Sequence, residues 1–255
     1  MTTLITGASV GLGAEYARQF AARRHDLVLV ARREDAMATL AEQLRSAHGV
    51  TVTVIAQDLS TPDAAAQLHA RTEQLGLEID VLVNNAGFGT HGDVVDADPQ
   101  RMADEIQLNC GTLVGLTVRY LPAMRARGRG TIINIASTAS FQPVPHMAVY
   151  GATKAFVRSF TEALWAEEKK HGIRVLAVCP GATATEFFDV AGESAVVGIK
   201  RSAKQVVDHT MRELPGSKPS FVDGAANAFT ARVLTKVVPN RVLVGVTALL
   251  MGRGK

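Results

Sequence analysis

Thr3-Leu4-Ile5-Thr6-Gly7-Ala8-Ser9-Val10-Gly11-Leu12-Gly13 opens the chain and decides how the rest is read. An apolar, β-prone run ends in glycines, and an Ala-rich stretch follows. The pattern predicts a strand over 3–6, a tight turn, and a helix whose first backbone amides point past the strand end. Glycines let the backbone turn sharply there and come close to an anionic group, as a phosphate cradle requires. A glycine turn alone is a weak signal, and its weight comes from the strand before it and the helix after it.

The alternation of strand and helix continues downstream. Apolar β-rich runs at 27–31, 52–56, 81–84, 131–136 and 175–179 are separated by stretches of helical character. Runs such as Leu27-Val28-Leu29-Val30 and Ile132-Ile133 are apolar at every position, which predicts strands covered on both faces, as in a parallel sheet. Repetition of strand, helix, strand predicts right-handed crossovers and an α/β, doubly wound, Rossmann-type three-layer sandwich around a central parallel sheet of about seven strands. Asp98 followed by Pro99 marks the start of the longest helix. Met102, Ile106, Asn109, Leu113, Leu116 and Tyr120 form its expected buried stripe, with the amide of Asn109 inside it and in need of partners. Residues 204–214 read as helix, 220–222 as a short seventh strand, and 225–237 as helix through Ala225, Phe229, Val233 and Val237. Beyond Pro239, the spacing of Val242, Leu243, Val246, Leu249 and Leu250 favours a helix.

Composition narrows the function classes. The chain has 255 residues, 47% of them hydrophobic and 20% charged, and no low-complexity tract, which predicts a single domain over 1–255. A pI near 9.0 raises nucleic acid as a partner, but the net charge is only +3 and the basic residues are scattered, so nucleic acid is set aside. Arg125, Arg127 and Arg129 read as a solvated loop. Two cysteines, Cys110 and Cys179, offer neither a disulfide framework nor metal-ligand spacing, so no metal is expected. No secretory signal is seen, and a cytoplasmic location is the expectation.

The chemistry-bearing residues fall just past the strand ends, where open parallel sheets bind ligands. Ala31 stands where an acidic residue would accept a ribose hydroxyl, and Arg32 and Arg33 follow it. Paired guanidiniums there suit a 2′-phosphate, so NADP is preferred over NAD. Asp58 and Leu59 follow the third strand, and Asp58 serves either an adenine amine or the next helix N-terminus. Asn84-Asn85-Ala86-Gly87 end the fourth strand. Ser137 follows the fifth, with Ser140 as a rival. Tyr150 and Lys154 lie one turn apart on a helix face, a phenol beside an ammonium that favours its ionised form. His146 and Met147 either line a pocket or cover the helix start.

TGxxxGxG, Asn85-Ala86-Gly87, Asn109, Ser137 and Tyr150-x-x-x-Lys154, in that order, resemble the classical short-chain dehydrogenases/reductases over about residues 2–185. The resemblance implies an NADP(H)-dependent oxidoreductase that interconverts a small carbonyl compound and its alcohol. Tyr150 would be the acid/base and Ser137 would orient the substrate oxygen. Lys154 would hold the nicotinamide ribose and lower the Tyr150 pKa, and Asn109 would anchor a water relay. Gly7, Ser9, Gly11, Leu12, Gly13, Arg32, Arg33, Asp58, Leu59, Asn85, Ala86, Gly87, Tyr150 and Lys154 would bind the cofactor. Pro180, Gly181, Thr183 and Thr185 would line its nicotinamide side. A homodimer or homotetramer is the family habit. Phe88, Phe141, Phe187 and Phe188 are expected to face an apolar substrate, with residues 186–201 as a lid rich in apolar groups. The alternative is a non-catalytic NADP(H)-binding sensor or scaffold, which an incomplete tetrad would favour. The C-terminal helical extension, 225–255, either packs on its own subunit or offers a subunit interface or a membrane-surface contact.

Overall fold

A computed structural model describes residues 1–187 and 200–252, the side chain of Lys236 excepted. Seven parallel strands form its central sheet: β1 (Thr2–Thr6), β2 (Asp26–Ala31), β3 (Val52–Ala56), β4 (Val81–Asn84), β5 (Gly130–Ile135), β6 (Ile173–Cys179) and, last, Ser220–Val222. Their order is β3-β2-β1-β4-β5-β6 followed by Ser220–Val222. From β1 the chain winds outward to β3, then returns to β4 on the other side of β1 and winds the opposite way. The crevice between the carboxyl ends of β1 and β4 is therefore the switch point at which such sheets bind ligands.

Continuous apolar runs are explained by two cores. Within β2, Leu27, Leu29 and Ala31 enter the core formed with the helix Gly11–Ala22 (α1), the helix Glu34–His48 (α2) and the helix Ala203–Glu213. Val28 and Val30 of the same strand enter the opposite core, with the helix Ala64–Gln74 (α3). Ile133 and Ile132 of β5 divide the same way. A pleated strand sends alternate side chains to opposite faces, so only a sheet covered on both sides needs this composition.

The long helix departs from its expected form. Asp98 caps it by accepting from the Gln100 amide, with Pro99 in the first turn, as anticipated. It then runs as α4 (Pro99–Ile106), a π-helical segment over Gln107–Thr112, and α5 (Leu113–Arg127). The wider π turns rotate the residues before them relative to those after. Asn109, Leu113, Leu116 and Tyr120 are buried as expected, but Ile106 is 51% exposed and Glu105 takes the inward place at 0%. A single periodic stripe cannot cross a change of helical pitch.

The C-terminal part shows a similar inversion. Residues 225–237 comprise Ala225–Phe229, a π-helical Thr230–Leu234 and a short turn over Thr235–Val237. Ala231 is buried with Val222 and Cys179, whereas Phe229, Val233 and Val237 are exposed. Small side chains permit close packing there and the large ones face outward. The last helix, Asn240–Met251, turns Thr247 and Met251 inward against its own subunit, where Gln142 Nε2 donates to Thr247 Oγ1 at 3.1 Å. The Arg125–Arg129 cluster is not a solvated loop: Arg125 pairs with the buried Glu168, Arg127 donates to the Ile79 carbonyl, and Arg129 approaches Glu78 and Asp80.

Candidate active site

The β1 end is tied to the β4 end by one hydroxyl. Thr6 Oγ1 accepts from the amides of Asn85 at 2.9 Å and Ala86 at 3.0 Å, and Asn85 Nδ2 donates back to the Thr6 carbonyl at 2.9 Å. Asn84 is buried beneath them, donating to Asn134 Oδ1, whose own amide donates to Thr161. Both loops are thus held as one rigid rim. Gly7 and Gly11 have positive φ, and Thr185 Cγ2 lies 2.9 Å from where a Cβ on Gly11 would sit.

A continuous cleft of about 1300 Å³ opens above this rim. Gly7, Ser9, Gly11, Leu12, Arg32, Arg33, Asp58, Leu59, Asn85, Ala86 and Gly87 line one part of it. Ser137, Tyr150, Lys154, Pro180, Gly181, Thr183 and Thr185 line the other. That length accommodates a dinucleotide with a second molecule beside it, since a typical ligand pocket holds about 300 to 1,000 Å³. Gly13 and Asn109 do not reach the cleft. A Cβ on Gly13 would stand 2.1 Å from the Gly7 carbonyl oxygen, so this glycine allows helix and loop to meet rather than touching a ligand.

At the adenine end, Arg33 Nη2 contacts Ser9 Oγ at 3.3 Å and pairs with Glu186 at 2.7 Å. Asp58 accepts from the Ser60 amide and hydroxyl, which, with Arg32 nearby, hold its carboxyl below the usual range. It lines the cleft but does not serve the next helix, whose N-cap is Asp63.

At the other end, the helix Ala148–Glu168 (α6) carries Tyr150 and Lys154 on one face. Lys154 is buried, donates from Nζ to the Ile135 carbonyl at 2.8 Å, and lies 5.7 Å from the Tyr150 ring centroid. Burial brings its ammonium down to about 8. Tyr150 moves the other way. It keeps partial access to the cleft, yet burial pushes its phenol up to about 12; a hydrogen bond with Ser137 pulls it down and the Glu105 carboxylate raises it further. The lowering expected from Lys154 is not found in the protein alone, where burial sets the direction. Ser137 is buried against the cleft with its Oγ accepting from the Ala139 amide. Its rival Ser140 is buried behind it and donates to the Ser137 carbonyl at 2.5 Å, outside the cleft lining.

Asn109 sits behind Lys154 with its amide already engaged. Its Oδ1 accepts from the Phe88 amide at 3.2 Å, and its Nδ2 donates to the Phe88 carbonyl at 2.9 Å and to Thr153 Oγ1 at 3.1 Å. It fastens the β4 loop to α6. Phe88 and Phe187 line the cleft, and Phe187 meets the Tyr150 ring at 5.3 Å between centroids. Phe141 instead lies under the Arg158 guanidinium, 4.0 Å from it, and Phe188 falls outside the described residues, as does most of the expected lid. Met147 lines the cleft, but His146, at φ 60°, is bound to Asp93 at 2.6 Å.

Several functional neighbours were missed by sequence reasoning. Gly89 is one: a Cβ there would lie 2.9 Å from both the Tyr150 ring and Met147. Thr247, Leu250 and Met251 of the last helix also line the cleft. Glu105 is the third. Thr90 and Arg101 face its carboxyl, but neither oxygen has an aligned hydrogen-bond partner, and burial raises its pKa. A carboxyl held above its ordinary range keeps its proton more tightly folded than unfolded. The stability it contributes is present below about pH 4 and is lost as pH rises through the folded value. Glu105→Gln is therefore expected to be more stable than the wild type near neutral pH, by about 1 to 3 kcal/mol, and to equal it in acid. Denaturant midpoints measured across pH check this, and parallel curves for the two proteins would refute it.

With a glycine-rich β1 loop, a rigid Asn85-Ala86-Gly87 rim and the Ser137, Tyr150 and Lys154 side chains on one cleft, comparison with known proteins is decisive. The family model for short chain dehydrogenase matches residues 1–195. The chain belongs to the short-chain dehydrogenase family. It is 34% identical to a short-chain dehydrogenase from Sphingobium yanoikuyae solved in complex with NADPH, with a TM-score of 0.83 over 100% of this chain and 96% of that one. A bulky-bulky ketone specific alcohol dehydrogenase from Comamonas testosteroni is 31% identical, with a TM-score of 0.79 over 100% of this chain and 94% of its own. A very-long-chain 3-oxoacyl-CoA reductase of Pyrenophora tritici-repentis is 32% identical over 215 residues, 83% of this chain. This chain spans only 62% of the length of that reductase.

Proposed function

We propose that this protein is an NADP(H)-dependent carbonyl reductase and alcohol dehydrogenase acting on an apolar substrate. The convergence of Ser137, Tyr150 and Lys154 on the cleft wall carries the reading. The residues fit the dinucleotide: positive-φ glycines leave space at the loop, Ala31 presents no carboxylate, and Arg32 and Arg33 supply positive charge for a 2′-phosphate. When bound, that cofactor supplies or accepts the hydride. Ser137 and Tyr150 then bind the carbonyl oxygen, and Tyr150 hands it a proton as negative charge grows. Lys154, fixed by the Ile135 carbonyl, keeps a cation beside the phenol and would hold the cofactor ribose. Asn109 acts as a positioning residue, holding the Phe88 loop against α6.

The substrate reading draws on the apolar side of the cleft, with Phe88, Met147, Phe187, Leu250 and Met251 in its lining. The relatives named above support two substrate kinds, bulky ketones and 3-oxoacyl thioesters. Following NADPH oxidation against a panel of both tests the proposal. Cofactor binding with no turnover of any carbonyl, and no NADP reduction by the matching alcohols, would favour the sensor reading instead.

Cofactor choice has its own expected result. Arg33→Ala should weaken NADP by about 1 to 3 kcal/mol, the worth of a hydrogen bond to a charged group, and leave NAD unchanged. Calorimetric titration with each cofactor checks it; equal losses for both would show that Arg33 does not read the 2′-phosphate.

A further inference from the structure

The chain's charge is unevenly distributed in a way that its composition conceals. None of its 24 acidic residues falls after Asp223, whereas Arg232, Lys236, Arg241, Arg253 and Lys255 do. Asp223 itself is buried, paired with Arg201 and His209, and shows no charge to the surface. Up to and including Asp223, 22 basic residues face 24 acidic ones.

The same stretch exposes its large apolar side chains. Along Asn240–Met251, Val242, Val246 and Leu249 are 52%, 51% and 70% exposed, at helical spacing on the face opposite Thr247 and Met251. Phe229, Val233 and Val237 form a second exposed row on the preceding helical segment. Both segments reach the cleft: Thr230 and Leu250 are exposed and also line it, so they form part of its rim. Cationic residues among exposed apolar rows on a short helix suit the interface of an anionic lipid leaflet, where apolar side chains enter the acyl boundary and cations meet the headgroups. A second copy of the chain would place like charge against like charge across a twofold contact, which disfavours it as the occupant. Among the described residues, no helix is long and apolar enough to cross a membrane, so the contact is one of surface docking.

We propose that the helices of residues 225–251 dock this protein onto an anionic lipid surface, with the rim of its cleft toward the bilayer. An apolar substrate dissolved in the leaflet would then enter without crossing water. This deepens the proposed function by naming where its substrate resides, but docking itself requires no turnover, so the two readings fail separately.

The test is co-sedimentation of the full chain with vesicles of phosphatidylcholine alone or mixed with phosphatidylglycerol. Binding to the mixed vesicles is expected to be at least about tenfold tighter and to be reversed by high salt. Arg241→Glu should weaken it by about tenfold or more. The double variant Val246→Asp, Leu249→Asp should abolish it while keeping the wild-type thermal shift with NADPH, which certifies its fold. Equal sedimentation with both vesicle types, or none with either, overturns the proposal. So does a wild-type dimer by light scattering that the double variant converts to monomer without any vesicle binding.

Discussion

Replacement of Tyr150 by Phe is expected to lower kcat for carbonyl reduction by about 10²- to 10⁴-fold, the range that a positioned proton donor contributes. The phenol stands at about 12 because burial and the Glu105 carboxylate oppose its ionisation, so it enters the reaction carrying its proton. That is the form a reductase needs. Phe keeps everything else the ring does: it fills the space over Gly89 and retains the contact with Phe187. Cofactor affinity, measured by fluorescence titration, should therefore match the wild type. The assay belongs below pH 8, where Lys154 still holds its charge. A variant that turns over at the wild-type rate would remove Tyr150 from the mechanism, whatever its place in the cleft.

The fate of that phenol shows what a sequence can and cannot carry. Tyr150 and Lys154 were legible as a pair because helical spacing alone puts them on one face. Their protonation was not, since it depends first on burial in the assembled fold and then on Glu105, which lies just before the π-helical Gln107–Thr112 segment. Nothing local announces that change of pitch: Asn109 must face Phe88 and Thr153 while Leu113 and Leu116 face the sheet, and only the assembled protein imposes both demands. The strands were readable for the opposite reason. A parallel strand covered on both faces leaves its whole mark in its own residues, as Leu27 to Ala31 do by splitting between two cores. At the adenine end, Arg32 and Arg33 announced their position after β2. The pairing of Arg33 with Glu186 joins residues far apart in the chain and had no local sign. The C-terminal segment misled for a third reason: helical spacing of Phe229, Val233 and Val237 predicts a common face but not which way that face points.

The second large effect concerns a glycine that touches no ligand. Gly13→Ala is expected to destabilise the fold by about 3 kcal/mol or more and to abolish cofactor binding. An added Cβ would meet the Gly7 carbonyl oxygen at 2.1 Å and carbon at 2.7 Å, with Asn85 Nδ2 at 2.8 Å behind them. Two of those atoms are backbone in a turn where Gly7 has φ 65°, and the third is the amide that ties the β1 end to the β4 end. No rotamer change can make room. Relief requires α1 to move off the loop, which breaks the rim and misaligns the amides at the helix start. Gly245→Ala provides the contrast: it lies within Asn240–Met251 with nothing within 4 Å of the added methyl, and should raise stability by about 0.5 to 1 kcal/mol. Thermal denaturation of both variants, with and without NADPH, separates the two. If Gly13→Ala unfolded at the wild-type temperature and still bound the cofactor, the close approach of helix and loop would not be what this position provides.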